Sequence, residues 1–256
     1  MISDLELAQK LADAADELSM ERFRALDLEV QTKPDRSPAT DADKSVEQAI
    51  RSLLAEFRPE DSIIGEEFGN EGDSERVWII DPIDGTANFL RGVPVWATLI
   101  GLRVNNEYTL GVVSAPAMGR RWWAEIGQGA FTKDVDGSTR KLQVSKVKDL
   151  ADSSFSFSSI ELWDENNELE KLWEISKRVW RTRAYGDFWS HVLVAEGVVD
   201  ISAETHLKIY DWAALVPIVS EAGGILRDQS GELSPTTSKI MVSNGLLDNQ
   251  LGEILS

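Results

Sequence analysis

The sequence predicts a mixed protein, an α+β first half and an α/β second half that meet near residue 145. Three observations carry this. Two amphipathic helical patterns open the chain. Strand-like runs separated by turn residues then fill Val93 to Phe131. Beyond Val144, helical and strand-like segments alternate. A chain of 256 residues can bury one large core or two coupled subdomains, and the halves are read as 1–145 and 146–256.

Ser3 to Leu26 places Leu7, Leu11, Ala14, Ala15, Leu18 and Phe23 at near-helical spacing, with Ser3 as the cap. Val30–Thr40, with Lys33-Pro34-Asp35 and Ser37-Pro38, reads as a loop. A second helix is expected from about Asp43, with Val46, Ile50, Leu53, Leu54 and Phe57 on one face. Ser62–Ile64 is a short strand leading into Gly65-Glu66-Glu67. Val95–Val104, Tyr108–Ser114 and Arg121–Glu125 read as a meander, and Lys133–Lys141 as a charged hairpin loop. Asp134-Val135-Asp136-Gly137 lacks the remaining ligands of a calcium loop and is taken as a turn. In the second half, Ser153–Phe157, Val198–Ala203 and Lys239–Val242 are strands. Asn167–Trp180, Phe188–Glu196, Asp211–Ala222 and a segment from Leu247 are helices, with Gly223-Gly224 closing the third.

The most informative stretch is Trp78-Ile79-Ile80-Asp81-Pro82-Ile83-Asp84-Gly85-Thr86. Val77–Ile80 reads as a buried strand ended by Pro82 and Gly85, which leaves Asp81 and Asp84 at its mouth. Carboxylates held there suit a hard divalent cation such as Mg²⁺. The amides of Gly85 and Thr86 open a short helix and offer a seat for phosphate. A strand-end Asp followed by an Asp-Gly turn is the plain structural alternative.

Composition narrows the chemistry. There is no Cys and there are two His, so thiolate and His-rich metal sites are excluded and any metal is held by oxygen. The 44 acidic and 26 basic residues give a net charge of −18, which disfavours nucleic acid and anionic membranes as partners. The same field opposes a phosphate ester unless a bound cation neutralises it locally. The N-terminus lacks a basic, then apolar, leader, and no run approaches the length of a membrane span, so the expected location is the cytoplasm.

Asp43, Glu66, Asp81, Asp84 and Asp211 all fall at element ends. Each alone has a structural explanation: Asp43 and Asp211 as helix N-caps, Glu66 as a turn residue, Asp81 as a strand end. Together with Gly65-Glu66-Glu67, Asp81-Pro82-Ile83-Asp84-Gly85-Thr86, Asp211-Trp212-Ala213-Ala214 and Glu221-Ala222-Gly223-Gly224, the set resembles the inositol monophosphatase superfamily of Mg²⁺-dependent phosphatases. The resemblance runs from the first helix to Ser243-Asn244-Gly245. Tyr210 stands where that family usually has Trp, a conservative exchange. The resemblance implies a layered αβαβα sandwich of the sugar-phosphatase type and two or three Mg²⁺ ions. It implies Glu66, Asp81, the Ile83 carbonyl, Asp84 and Asp211 as metal ligands. Glu66 would also help bind a third ion through Asp43 and water. Thr86 and Asp43, with a metal, would orient the attacking water, and Gly85 and Thr86 would cradle the phosphate.

For the leaving alcohol, the resemblance points to Asp187, after Arg183-Ala184-Tyr185-Gly186, and to Glu204. An Asp187 helix cap and a surface Glu204 are the structural alternatives. Arg91–Trp96, Tyr185–Ser190 and Thr32–Asp35 look most like the bacterial histidinol-phosphate phosphatases of this superfamily. Acidic and aromatic side chains suit a cationic alcohol. Substrate contacts are expected from Asp84, Gly85, Thr86, Arg183, Gly186, Asp187 and Glu204; Asn88 replaces nothing critical to the family pattern, and the two His lie outside the motif set. The competing readings are an inositol-phosphate or nucleotide 3′-phosphate phosphatase and a non-catalytic, metal-stabilised acidic binding protein. The family is commonly homodimeric, and Trp122, Trp123, Trp163, Trp173 and Trp180 could supply an interface or core.

Overall fold

The structure is a computed structural model, and it describes residues 2–32, 38–228 and 231–255. Helix α1 (Asp4–Arg22) begins on a capping box. Ser3 Oγ accepts from the Glu6 amide at 3.1 Å, and Glu6 Oε2 accepts from the Ser3 amide at 2.8 Å. Where a loop was expected, β1 (Val30–Thr32) and β2 (Pro38–Thr40) pair antiparallel, while residues 33–37 of that stretch lie outside the described residues. Helix α2 (Asp41–Phe57) follows directly.

Strands β3 (Ser62–Gly65), β4 (Gly69–Glu71) and β5 (Arg76–Asp84) come next, then the single turn α3 (Thr86–Leu90). The meander is β6 (Ala97–Val104), β7 (Glu107–Ala115), β8 (Arg120–Glu125), β9 (Gly129–Lys133) and β10 (Thr139–Lys141). These eight strands form one sheet in the order β10-β9-β8-β7-β6-β5-β3-β4, and only β3 with β5 is parallel. At the β9–β10 turn the Asp134 carboxylate pairs with Arg120 and Arg140, which agrees with a turn rather than a calcium loop.

The second half contains β11 (Ser154–Ser156), α4 (Ile160–Glu165), α5 (Leu169–Arg178), β12 (Arg181–Arg183), α6 (Asp187–Ala195) and β13 (Ile201–Thr205). After these come α7 (Ile209–Trp212), α8 (Leu215–Glu221), β14 (Ile225–Arg227), β15 (Lys239–Ser243) and α9 (Asp248–Leu255). Its five strands order as β12-β11-β13-β15-β14. The helix expected over Asp211–Ala222 is therefore two helices, and α4, β12 and β14 are additional to the expected elements.

Burial resolves five layers. On one face of the large sheet, Trp78, Ile80, Ile100 and Val112 pack against Leu7, Leu11, Val46 and Ile50 of α1 and α2. On the other face, Ile79, Leu99, Val113 and Trp122 meet Phe188, Val192, Leu215 and Ile218 of α6 and α8, with Ile240 and Val242 of the small sheet beyond. The far face of the small sheet, through Phe155, Ala203 and Met241, packs on Trp163, Leu172 and Leu251 of α4, α5 and α9. The result is the αβαβα sandwich. Strand β5 reads as an unbroken apolar run because it is central and covered on both faces. Trp78, Trp96, Trp122 and Trp212 are core residues, whereas Trp173 and Trp180 are exposed.

Candidate metal centre and active site

Strand β5 carries the motif further than the sequence suggests. Pro82 does not end it: pairing with β6 continues to Asp84↔Ala97, with a register break between Asp81 and Asp84. The break aims both carboxylates off the end of the ladder. Asp81 Oδ1 accepts from the Ile83 amide at 3.0 Å, which sets the turn. Gly85 then takes φ +83°, a conformation open to glycine, and caps α3. The first intrahelical bond runs from the Asn88 amide to the Gly85 carbonyl at 2.9 Å, so the amides of Gly85, Thr86 and Ala87 precede the helical ladder. Thr86 Oγ1 lies 3.0 Å from the Ile83 carbonyl and 3.3 Å from Asp43 Oδ1.

Asp43 and Asp211 are not N-caps. Each is the third residue of its helix and folds back on the chain before it. Asp43 Oδ2 accepts from the Thr40 amide at 2.7 Å while Thr40 caps α2. Asp211 Oδ2 accepts from the Lys208 amide at 2.6 Å. Asp211 is placed by the sheet beneath it. Gly101 and Gly111 are cross-strand partners on β6 and β7, and a Cβ at Gly111 would stand 1.9 Å from the Ala214 carbonyl oxygen. The two glycines make a saddle for Ala213-Ala214, where α7 gives way to α8. The Ala-Ala pair after Asp211 thus lets backbone meet backbone.

Glu66 is held through a residue not singled out in the sequence. Glu47, fully buried on α2, accepts from the Glu67 amide at 2.7 Å and the Phe68 amide at 3.2 Å, and pairs with Arg51 at 2.8 Å. It pins the turn that presents Glu66, and a Cβ at Gly65 would come within 2.0 Å of Glu47 Oε1. The available signal was an acidic residue beside an apolar face, four positions before an arginine.

Two sets of carboxylates result. Oxygens of Asp81, Asp84 and Asp211 lie within 4.8 Å of one another, as do those of Asp43, Glu66 and Glu67. Burial, then the charges of Glu66, Asp84 and Asp211, pushes Asp81 well above the usual carboxylate range. Burial, then Asp187 and Asp211, does the same to Asp84. Burial raises Asp211 to about 7 and Asp43 to about 6, with Glu66 adding to both. Buried carboxylates that repel one another are costly unless a cation compensates them. An all-oxygen donor set of this charge fits a hard divalent ion.

The residues expected at the leaving group form a second district. Four consecutive amides of the turn into α6 end on side-chain oxygens: Tyr185 on Ser156 at 3.3 Å, Gly186 on Ser190 at 3.0 Å, Asp187 on Ser158 at 3.0 Å and Phe188 on Asp84 Oδ2 at 2.8 Å. This holds Asp187 at φ +49°, uncommon outside glycine. Burial, then the charge of Glu204, raises Asp187 to about 7. The Asn88 side-chain amide donates to Asp187 Oδ2 and to the Val95 carbonyl, each at 2.9 Å. His191, outside the motif set, places its Nε2 3.0 Å from Glu204 Oε2. Glu204 is buried, not a surface acid. Arg183 stands exposed on the edge strand β12 and donates to the Thr182 carbonyl at 2.7 Å, so the structure does not bring it into the cluster.

The histidinol-phosphatase of Streptomyces coelicolor is 50% identical over 254 residues, covering 98% of this chain and 96% of its own. That of Mycobacterium tuberculosis is 50% identical over 250 residues, covering 97% and 96%. Among solved structures, an IMPase of Thermotoga maritima superposes with a TM-score of 0.88 at 30% identity, covering 99% of this chain and 97% of its own. A model of the inositol monophosphatase family matches residues 3–255, both sheets and all five layers, and the chain belongs to that family.

Proposed function

We propose that this enzyme is a Mg²⁺-dependent phosphate monoester hydrolase acting on L-histidinol phosphate, releasing L-histidinol and phosphate in histidine biosynthesis. The observation that carries the substrate is the acidic pair of half-buried Asp187 and buried Glu204 beside Asp84, in a chain half identical to two histidinol-phosphatases. Histidinol brings an ammonium and an imidazole to that pair, and a cation offsets two carboxylates that otherwise repel.

Asp81, Asp84, Asp211, Glu66 and the Ile83 carbonyl would hold two Mg²⁺ ions, and Asp43 with Glu66 a third. When bound, Mg²⁺ supplies positive charge for the phosphoryl and leaving oxygens and makes water a nucleophile near neutral pH. The Ile83 carbonyl has two lone pairs, so it can accept from Thr86 and still face a cation. Thr86 and Asp43 orient the attacking water, and the hydroxyl already reaches both Asp43 and Ile83. The amides of Gly85 and Thr86 receive the phosphate oxygens. Asp187, Gly186 and Glu204 receive the alcohol. A protein that only bound metal would have no use for Thr86 set against Asp43.

The same reading makes the protein a cytoplasmic homodimer, with the exposed Trp173 and Trp180 as its first interface candidates. It treats residues 1–145 and 146–256 as coupled halves, since the largest core cluster draws on both sides of residue 145. Light scattering tests the dimer.

The substrate test is kcat/KM for histidinol phosphate, inositol 1-phosphate and fructose 1,6-bisphosphate, each with Mg²⁺ and with chelator. Histidinol phosphate is expected to lead by more than tenfold, with no turnover after chelation. Equal or better activity on inositol 1-phosphate overturns the substrate. Melting shifted by Mg²⁺ without any turnover overturns the enzyme.

A further inference from the structure

His191 is one of two histidines in the chain and is almost fully buried on α6. Both ring nitrogens are engaged: Nδ1 lies 2.9 Å from Ser202 Oγ, and Nε2 lies 3.0 Å from Glu204 Oε2. An ionised carboxylate only accepts, so Nε2 carries the hydrogen toward Glu204, and Ser202 selects the ring orientation from the other side. Ser202 and Glu204 are two apart on β13 and so face the same side of the sheet, the side on which α6 packs.

The other oxygen of Glu204 is equally bound. Ser158 Oγ donates to Glu204 Oε1 while accepting the Asp187 amide at 3.0 Å. One hydroxyl therefore fastens both members of the acidic pair, Glu204 by its carboxylate and Asp187 by its backbone. The pair hangs from a chain that runs Ser202, His191, Glu204, Ser158, Asp187. Asn88 closes it on the motif side by its bond to Asp187 Oδ2. The charge of Glu204 is felt by three other carboxylates, Asp84, Asp187 and Asp211. Left loose, Glu204 would turn away from them. A bidentate grip is what holds an acid in such a place.

We propose that His191 and Ser158 are positioning residues for specificity: they lock Glu204 and Asp187 into a rigid acidic clamp that selects a cationic leaving alcohol. This rests on the substrate class proposed above and extends it to residues that touch neither phosphate nor metal. Preorganisation of this kind acts on recognition of the alcohol more than on the phosphoryl centre.

The test uses the Mg²⁺-loaded full chain and the variants His191→Leu, His191→Gln and Ser158→Ala. Wild type is first compared on histidinol phosphate and p-nitrophenyl phosphate, whose alcohol carries no cation. Absence of a preference for histidinol phosphate would sink the substrate reading itself and is seen before any variant is made. His191→Leu and Ser158→Ala are expected to lose about tenfold in kcat/KM on histidinol phosphate, mostly through KM, the worth of one hydrogen bond to a charged group. The loss on p-nitrophenyl phosphate should be markedly smaller. His191→Gln, which keeps an N–H for Glu204, should recover most of the difference. Equal losses on both esters, or no rescue by Gln, overturn the proposal in favour of a structural histidine. A crystal structure of His191→Leu gives a readout independent of substrate: a displaced Glu204 supports the clamp, and an unmoved one overturns it. Should the Leu variant not fold, Ser158→Ala and His191→Gln carry the same comparison.

Discussion

Two acidic districts share this site, and they are built in opposite ways. The district that would hold metal is local. Asp81, Ile83, Asp84, Gly85 and Thr86 are nearly consecutive, and one register break in β5 aims them together. The district proposed to face the alcohol is dispersed. Asp187 and Glu204 sit on different elements and are gathered by Asn88 on α3, Ser158 between β11 and α4, and His191 further along α6. The difference teaches where reaction and specificity are written. A reaction common to a family can be carried by a short turn, because its geometry is mostly intrinsic to the backbone. Choice of alcohol is carried by tertiary contacts, which can change one residue at a time without disturbing the turn.

Breaking the local district should cost most. Asp84→Asn is expected to lower kcat by more than about a hundredfold, since even outer partners of a ligand are worth 10–100-fold. The fold should survive, because Asn can still accept from the Phe188 amide that Asp84 receives at 2.8 Å. Circular dichroism and kcat at saturating Mg²⁺ decide it. Near-normal turnover would remove Asp84 from the metal set and dissolve the contrast between districts.

Next in size is the saddle beneath Asp211. Gly111→Ala puts a Cβ 1.9 Å from the Ala214 carbonyl oxygen, so backbone must move. Overpacking of this kind costs about 1–3 kcal/mol, or roughly 2–12 °C in a chain of this size. The shift should also weaken activation by Mg²⁺, read as a higher half-saturating concentration. Unchanged melting and activation together would mean that Asp211 is placed by something other than the saddle.

Smaller still is Asn88→Ala, which removes the bridge between the motif helix and Asp187. One hydrogen bond of about 1 kcal/mol predicts roughly a fivefold rise in KM for histidinol phosphate. The change for p-nitrophenyl phosphate should be slight. A matching fall in kcat on both esters would show that the two districts are one unit.

What was legible in the sequence follows the same division. The helices α1, α2 and α5, the meander and the DPIDGT turn rest on short-range pattern, and they could be read. Strand β5 was cut short at Pro82 because the rule that proline ends a strand assumes a regular ladder, and this one is broken at that point. Helices α7 and α8 were merged because the break between them is imposed by Gly101 and Gly111, about a hundred residues away along the chain. Strands β12 and β14 have three residues each, too few to show a period of two. The local signal at Glu47 is only its spacing to Arg51, and Asn88 and His191 have no local signal of function. Each acts through a partner that only the fold supplies.

The least of these effects separates the districts without a substrate. In the metal-free chain Asp43 is raised to about 6, Asp211 to about 7 and Asp187 to about 7. A carboxyl with a raised folded pKa binds more protons folded than unfolded. Its stability is fully present below the unfolded value, about 4, and is lost as pH climbs through the folded value. Melting temperature without metal should therefore fall between pH 5 and pH 8, by a few degrees. Saturating Mg²⁺ should abolish the part owed to Asp43 and Asp211, whose charge it would neutralise. The part owed to Asp187 should persist and should vanish in Asp187→Asn. A flat metal-free profile would contradict the repulsion on which both districts are argued. A residual slope that survives both Asp187→Asn and Asp16→Asn, the other carboxyl that burial raises, would place the uncompensated charge back among the residues assigned to metal.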